Sequence, residues 1–280
     1  MRKLLLLTTW ALALFGAVGC ESTAKKSALE ARAHVSELAK LGREDAREIR
    51  QGLPQGGAEL EKLIGADQPL DPQAAREAIE KARGRVQDLR TAKSTFFALA
   101  SPDGVVIRND QEQDRMAQKP LFASFPALKA AVTGGYVEAR GSMDEAAEVR
   151  GRPDAQWVAA VPVRSGGTTR ALFVTGFSWS AYAYRLQTSL RSAVAAGRGE
   201  HDKMPLLYAF VVVDGAAYAP RDSPDVNIET VKNAKILEQA RGSEVVSREL
   251  EITGRPFGLA GVLVPELGDK VAFAVLRSET

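Results

Sequence analysis

The stretch TFFALASPDGVVIRND, Thr95–Asp110, decides the fold: the helical spacing before it gives way to two β-rich segments around a Pro-Asp-Gly turn, which reads as a hairpin. A helical stretch follows, PLFASFPALKAAVTGG, Pro120–Gly135, entered or interrupted at Pro126 and closed by paired glycines. Three strand candidates come next, YVEAR, QWVAAVPVRS and TRALFVTGFS, with the polar loop SMDEAAEVRGRPD between the first two. The same order then returns. LLYAFVVVDGAAYAP, Leu206–Pro220, is strand, Asp-Gly turn, strand; NIETVKNAKILEQARG is a helix; SEVVSRELEIT, RPFGLAGVLVPE and KVAFAVLRS are three more strands. A ββαβββ order that occurs twice with little residue identity is an internal repeat of architecture. It predicts an α+β chain with two modules, residues 95–177 and 206–280, joined by residues 178–205.

The joining segment reads as a helix from Ser178 to about Ala196, with Trp179, Tyr182, Leu186, Leu190 and Ala193 along one side. Residues 20–94 read as a tether and N-terminal helices. One polar, Ala-rich helix runs from Ala24 to Leu53 and is ended by LPQGG. A second begins at Asp71, placed as N-cap, with Pro72 in the first turn, where its missing N–H costs nothing. Its Ala75, Ile79, Ala82, Val86 and Leu89 alternate steps of four and three and so share a face that must pack on something.

At the extreme N-terminus, Arg2 and Lys3 precede an uncharged run, Leu4–Gly19, that ends on Cys20, the one cysteine of the chain. That is the layout of a signal peptide, residues 1–19, and the run is short for a bilayer-spanning helix. AVGC resembles the lipobox of bacterial lipoproteins, which implies cleavage before Cys20 and its acylation with fatty chains such as palmitate. Such chains contribute on the order of 0.8 kcal/mol per buried methylene and hold a protein on a membrane when two or more are present. Glu21 is not the Asp that retains enterobacterial lipoproteins at the inner membrane, so the resemblance implies an envelope lipoprotein facing the periplasm, with the outer membrane favoured.

Loss of the signal removes two of the 37 basic residues and leaves 35 against 35 acidic ones, so no basic face points to a nucleic-acid partner. A hydrophobic share of 45% argues against wholesale disorder. With no second cysteine there is no intramolecular disulfide. His34 and His201 are the two histidines, far apart, and neither a zinc-ligand spacing, a phosphate-binding loop nor a nucleophile elbow is present. STAK, Ser22–Lys25, has the SxxK spacing of penicillin-binding proteins without their other motifs, and we read it as coincidence. The expectation is a protein that is not an enzyme and holds neither metal nor cofactor.

A five-stranded antiparallel sheet with helices between its second and third strands resembles a PAS-type domain. FALASPDGVVI followed by DRMAQKPLFASFPALKAAVTGG, and then VAAVPVRSGGTTRALFVTGFS, are similar to the opening and closing strands of the double Cache family of extracytoplasmic sensors. That resemblance implies a ligand between the first sheet and the helical segment over it, in a concave and mostly apolar site. Arg115 and Lys119 are then the cations placed to meet a carboxylate, with Phe122 and Trp157 as walls. Family members that bind amino acids carry an Arg, Trp, Tyr cluster where this chain has Arg115, Lys119, Leu121 and Phe122, so no amino acid is expected. Two functions follow as expectations: a lipid-tethered module that binds a small molecule and acts through an envelope protein partner, or a scaffold without ligand. In the scaffold, Phe96, Phe97, Phe122, Phe125 and Trp157 fill the pocket themselves.

Overall fold

The computed structural model describes residues 22–64, 71–143, 155–199, 201–240 and 244–279; the lipobox and most of the polar loop lie outside them. Helix α1, Thr23–Leu63, opens at Ser22, whose hydroxyl accepts the Lys25 N–H at 3.1 Å. The SxxK spacing is therefore a helix cap. The helix does not end at LPQGG. Pro54 lies inside it, at a cost of about 3 kcal/mol for the lost hydrogen bond and ring clash. Tertiary packing offsets that cost, because Leu53 and Leu60 are fully buried and the glycines let other elements approach the helix closely. A Cβ on Gly56 would sit 2.5 Å from Leu89 Cδ1 and 2.7 Å from Phe173 Cε1. At 1.5 Å per residue α1 is a rod of about 60 Å, and it runs across both modules.

Asp71 accepts the Ala74 N–H at 3.0 Å and caps α2, Pro72–Arg85. The predicted face is buried, but Val86 is extended and Leu89 belongs to a separate short helix, α3, Gln87–Thr91. The first module then comprises β1, Phe96–Ala100; β2, Val106–Asn109; α4, Leu121–Ser124; a 3-10 turn, Pro126–Val132; β3, Val137–Ser142; β4, Ala155–Ser165; and β5, Thr168–Ser178. Pro126 thus splits the expected helix in two. Helix α5, Trp179–Ala196, is capped by Ser178 and buries Trp179, Tyr182, Leu186 and Leu190, while Ala193 is exposed. The second module comprises β6, Leu206–Val213; β7, Ala216–Tyr218; α6, Asp225–Asn233; α7, Ile236–Gln239; β8, Val246–Ile252; β9, Arg255–Leu263; and β10, Val271–Ser278.

The two sheets are wholly antiparallel and share one topology, β2-β1-β5-β4-β3 and β7-β6-β10-β9-β8. The repeat in the sequence is thus a repeat in space. Each sheet buries both faces: one against the helices in a core common to both modules, the other under its own covering segment. In the common core an aromatic series links the sheets, Trp157 to Phe177 at 5.2 Å, Phe177 to Tyr182 at 4.3 Å and Tyr182 to Phe273 at 5.9 Å between ring centroids. Beside it, Asp45 of α1 is buried, accepts the Tyr182 hydroxyl at 2.6 Å and holds both Arg185 nitrogens, Nη2 at 2.9 Å. Burial first, and the Asp45 charge second, raise the Tyr182 phenol well above its ordinary range.

A polar seam joins the modules where β3 faces the second sheet. Arg50 grips both oxygens of Glu138, at 2.6 and 3.0 Å, and also donates to the Glu266 carbonyl at 2.6 Å. Tyr136 donates to Glu138 at 2.8 Å, and Arg140 reaches Asp214 at 3.4 Å.

Candidate functional site

The candidate site is the face of the first sheet that looks away from α1. Small side chains at Ala98, Ala100, Ala139 and Ala160 leave a hollow, and the chain between β2 and β3 closes over it. Asp114 organises that cover. Its carboxylate is 2% exposed and accepts the N–H groups of Asn109, Met116 and Ala117 at 2.9–3.0 Å, with the Arg108 guanidinium at 3.6 Å. The chain then zips back along β2, with Gln118 N–H to Val106 O at 2.8 Å and Leu121 N–H to Gly104 O at 2.7 Å. The return bends through Gln118 at φ 65°, a conformation that costs a non-glycine residue of order 1 kcal/mol or more.

The cover is closed on the sheet. Met116, Leu121, Phe125 and Leu128 are fully buried in the hollow, together with Phe96 from β1. Phe122 lies over Gly104, which has φ 87° and on which a Cβ would sit 2.4 Å from the ring. A Cβ on Gly141 would sit 2.1 Å from the Ser124 carbonyl and 2.8 Å from Phe125, so the cover rests directly on the backbone of β3.

Three of the four residues expected to hold a ligand lie on this cover and one does not. Arg115 is half-buried, with Nη2 3.5 Å from Gln113 Oε1. Lys119 is half-buried, and its carbonyl accepts the Val106 N–H at 3.0 Å. Phe122 packs at the margin of the hollow. Trp157 is on the opposite face, stacked on Phe177 in the common core. Side chains alternate along a strand, so β4 turns Val158 and Ala160 to the hollow and Trp157, Ala159 and Val161 to the helices. Phe97 goes the same way as Trp157, whereas Phe96 and Phe125 do fill the hollow.

The same alternation puts Gln156 on the hollow side, at the end of β4. It is 1% exposed; its Nε2 donates to the Met143 carbonyl at 3.4 Å, which orients the amide, and its Oε1 is buried without a hydrogen-bond partner among the described residues. Gln156 was not among the residues expected from the sequence, although a signal for it was there: it is the polar residue in an otherwise apolar series, Gln156, Val158, Ala160, of one parity. Asp114 and Arg108 had no such signal, because their role is set by the backbone amides around them. Among the described residues no group of three His, Cys, Asp or Glu side chains is arranged to hold a metal.

No family model and no curated protein matches the sequence. Solved structures do match its fold. Over 92% of this chain and 98% of the other it superposes, at TM-score 0.59 and 8% identity, on the domain of a protein described as of the sensory box/GGDEF family from Vibrio parahaemolyticus. The extracellular domain of a protein described as a histidine kinase matches over 92% of both chains, at TM-score 0.57 and 9% identity. An extracellular ligand binding receptor from Desulfohalobium retbaense matches at TM-score 0.51 and 10% identity, over 89% of this chain and 40% of the receptor. The architecture, an N-terminal helix and two five-stranded antiparallel sheets, is the fold this chain shares with these solved domains.

Proposed function

We propose that this protein is a sensory-type ectodomain that binds a small molecule under the cover of its first sheet, is held at the bacterial envelope by lipid on Cys20, and acts through a partner protein. The observation that carries the ligand is Gln156. A buried amide oxygen without a donor costs about 1–3 kcal/mol, and a ligand N–H removes that cost while the Met143 carbonyl keeps the amide aligned. The preferred ligand therefore presents an N–H donor inward. Arg115 and Lys119, on the same covering segment, suit a carboxylate at its outer end.

A second reading is favoured by the closed cover. Phe96, Met116, Leu121, Phe125 and Leu128 already occupy the hollow, as a scaffold without ligand requires. Thermal unfolding of residues 24–280 against carboxylates, amines, amides, polyamines and nucleobases separates the two. Ligand at a hundredfold over its dissociation constant adds about 2.7 kcal/mol to the native state. A saturable rise in midpoint that disappears in Gln156→Leu supports the sensor. A flat panel on a folded protein supports the scaffold. Lipidation is tested apart: the mature full-length chain carries acyl mass on Cys20 and fractionates with membranes, whereas Cys20→Ser does neither.

A further inference from the structure

The two described ends of the chain meet at one pole of the second module. The Glu279 N–H lies 3.4 Å from Ser27 Oγ, and Ser22 Oγ donates to Glu249 at 3.2 Å. Between them lies Arg277 of β10, with 4% of its side chain exposed. Its Nε and Nη2 donate to Glu279 Oε1 at 2.9 and 2.8 Å, and its Nη1 is 2.5 Å from His34 Nε2 on α1. A guanidinium has donors only, so His34 Nε2 accepts, the imidazole is neutral, and its proton is on Nδ1.

We infer that His34 and Arg277 form a proton-operated latch, closed at neutral pH, that binds the first turns of α1 to the end of β10 and releases them on acidification. A second proton on the imidazole removes the lone pair that Arg277 uses and sets two cations face to face. Of the groups around His34, α1 itself contributes Glu30, 3.9 Å from Arg277. The end of β10 contributes Arg277 and Glu279, and the segment just past the end of α5 contributes Arg198, 3.7 Å from Glu279. Strands β8 and β9 also pack on α1 but place no charged group in hydrogen-bond or ion-pair contact with His34 among the described residues. Glu279 is held by both arginines, so the protonated imidazole leaves Arg277 for water and takes its turn of helix with it. Burial first and Arg277 second hold the imidazole below its ordinary range, against the opposing pull of Glu30 and Glu279. A depressed folded-state value means that the latch is fully closed above the free imidazole value, about 6.5, and opens as pH falls below it. The latch does not depend on a ligand in the first module. If Cys20 is the anchor, three positions before α1 begins, acid release frees the tether from the second sheet.

With two histidines in the chain, imidazole titration by NMR is resolvable. Residues 22–280 are titrated from about pH 7.5 to about pH 5 while exchange of the Glu279 and Lys26 amides is followed after correction for intrinsic rates. Linkage makes the two readouts agree: the opening equilibrium rises about tenfold for every unit by which His34 titrates below a free imidazole. His34→Gln keeps an acceptor for Arg277 without a titrating group, and its opening is independent of pH over the same range. Two results overturn the latch: His34 titrating at or above the free value in the wild-type protein, or an acid response of equal size in His34→Gln.

Discussion

Replacing Asp45 by Ala tests whether the joint between α1 and α5 holds this molecule together. The carboxylate, 5% exposed, accepts the Tyr182 hydroxyl and two Arg185 nitrogens. Its removal leaves a hydroxyl on a residue 2% exposed without an acceptor, which costs about 1–3 kcal/mol. Arg185 keeps 29% of its side chain in water, so its unpaired charge is partly solvated and adds about 1 kcal/mol rather than the full penalty of a buried ion. The expected loss is about 3 kcal/mol, a fall in midpoint of about 6–12 °C for a chain of this size. The diagnostic result is the cycle with Tyr182→Phe. In the wild type that change breaks a hydrogen bond to a charged group and costs about 1.5–3 kcal/mol; in the Asp45→Ala background it removes an orphaned hydroxyl and is neutral or stabilising. Urea unfolding of the four proteins should therefore give a coupling of about 2 kcal/mol, and additivity within about 0.5 kcal/mol would refute the reasoning.

Other expectations follow from the same contacts. Gly141→Ala drives a Cβ against the Ser124 carbonyl, lifts the cover and costs about 1–3 kcal/mol; protease cleavage within residues 111–135 should accelerate, and an unchanged pattern would mean the cover is not seated on β3. Pro54→Ala restores a donor in the middle of α1 and should stabilise by about 1–2 kcal/mol after the entropy returned to the unfolded chain is counted; a loss on calorimetry would show that the ring is needed where it is. Burial, then Glu138, raises the Tyr136 phenol far above its ordinary range, as Asp45 does for Tyr182 after burial. Because both folded-state values are raised, the stabilisation is intact below the free phenol value, about 10, and is lost as pH rises past it. Ultraviolet difference spectra should show those two of the five tyrosines ionising only with alkaline unfolding.

The repeat was legible because each strand, turn and cap is a local pattern: Asp-Gly turns where φ turns positive at Gly104 and Gly215, Ser178 and Asp71 at helix starts, and apolar runs of strand length. Gln156 carried a local signal too, as a parity exception in one strand, but it was not among the residues expected to hold a ligand. The path of α1 was not. Local propensity stops a helix at Leu53-Pro54-Gln55-Gly56-Gly57, but the glycines that weaken it alone are what let Leu89 and Phe173 pack onto it.

Strand parity says that Trp157 and Gln156 face opposite ways; it does not say which way is the hollow. Both faces of the sheet are buried, so no polar stripe marks the outside, and the choice falls to what covers each face. The latch and the Asp45 joint lie beyond any sequence reading for a related physical reason. His34 and Arg277 are 243 positions apart, and Asp45 and Arg185 are 140 apart. Sequence alone determined the strands, turns and caps and their order, because those signals act over a few residues; how far α1 runs and which charged groups meet were decided only when two sheets closed on one helix.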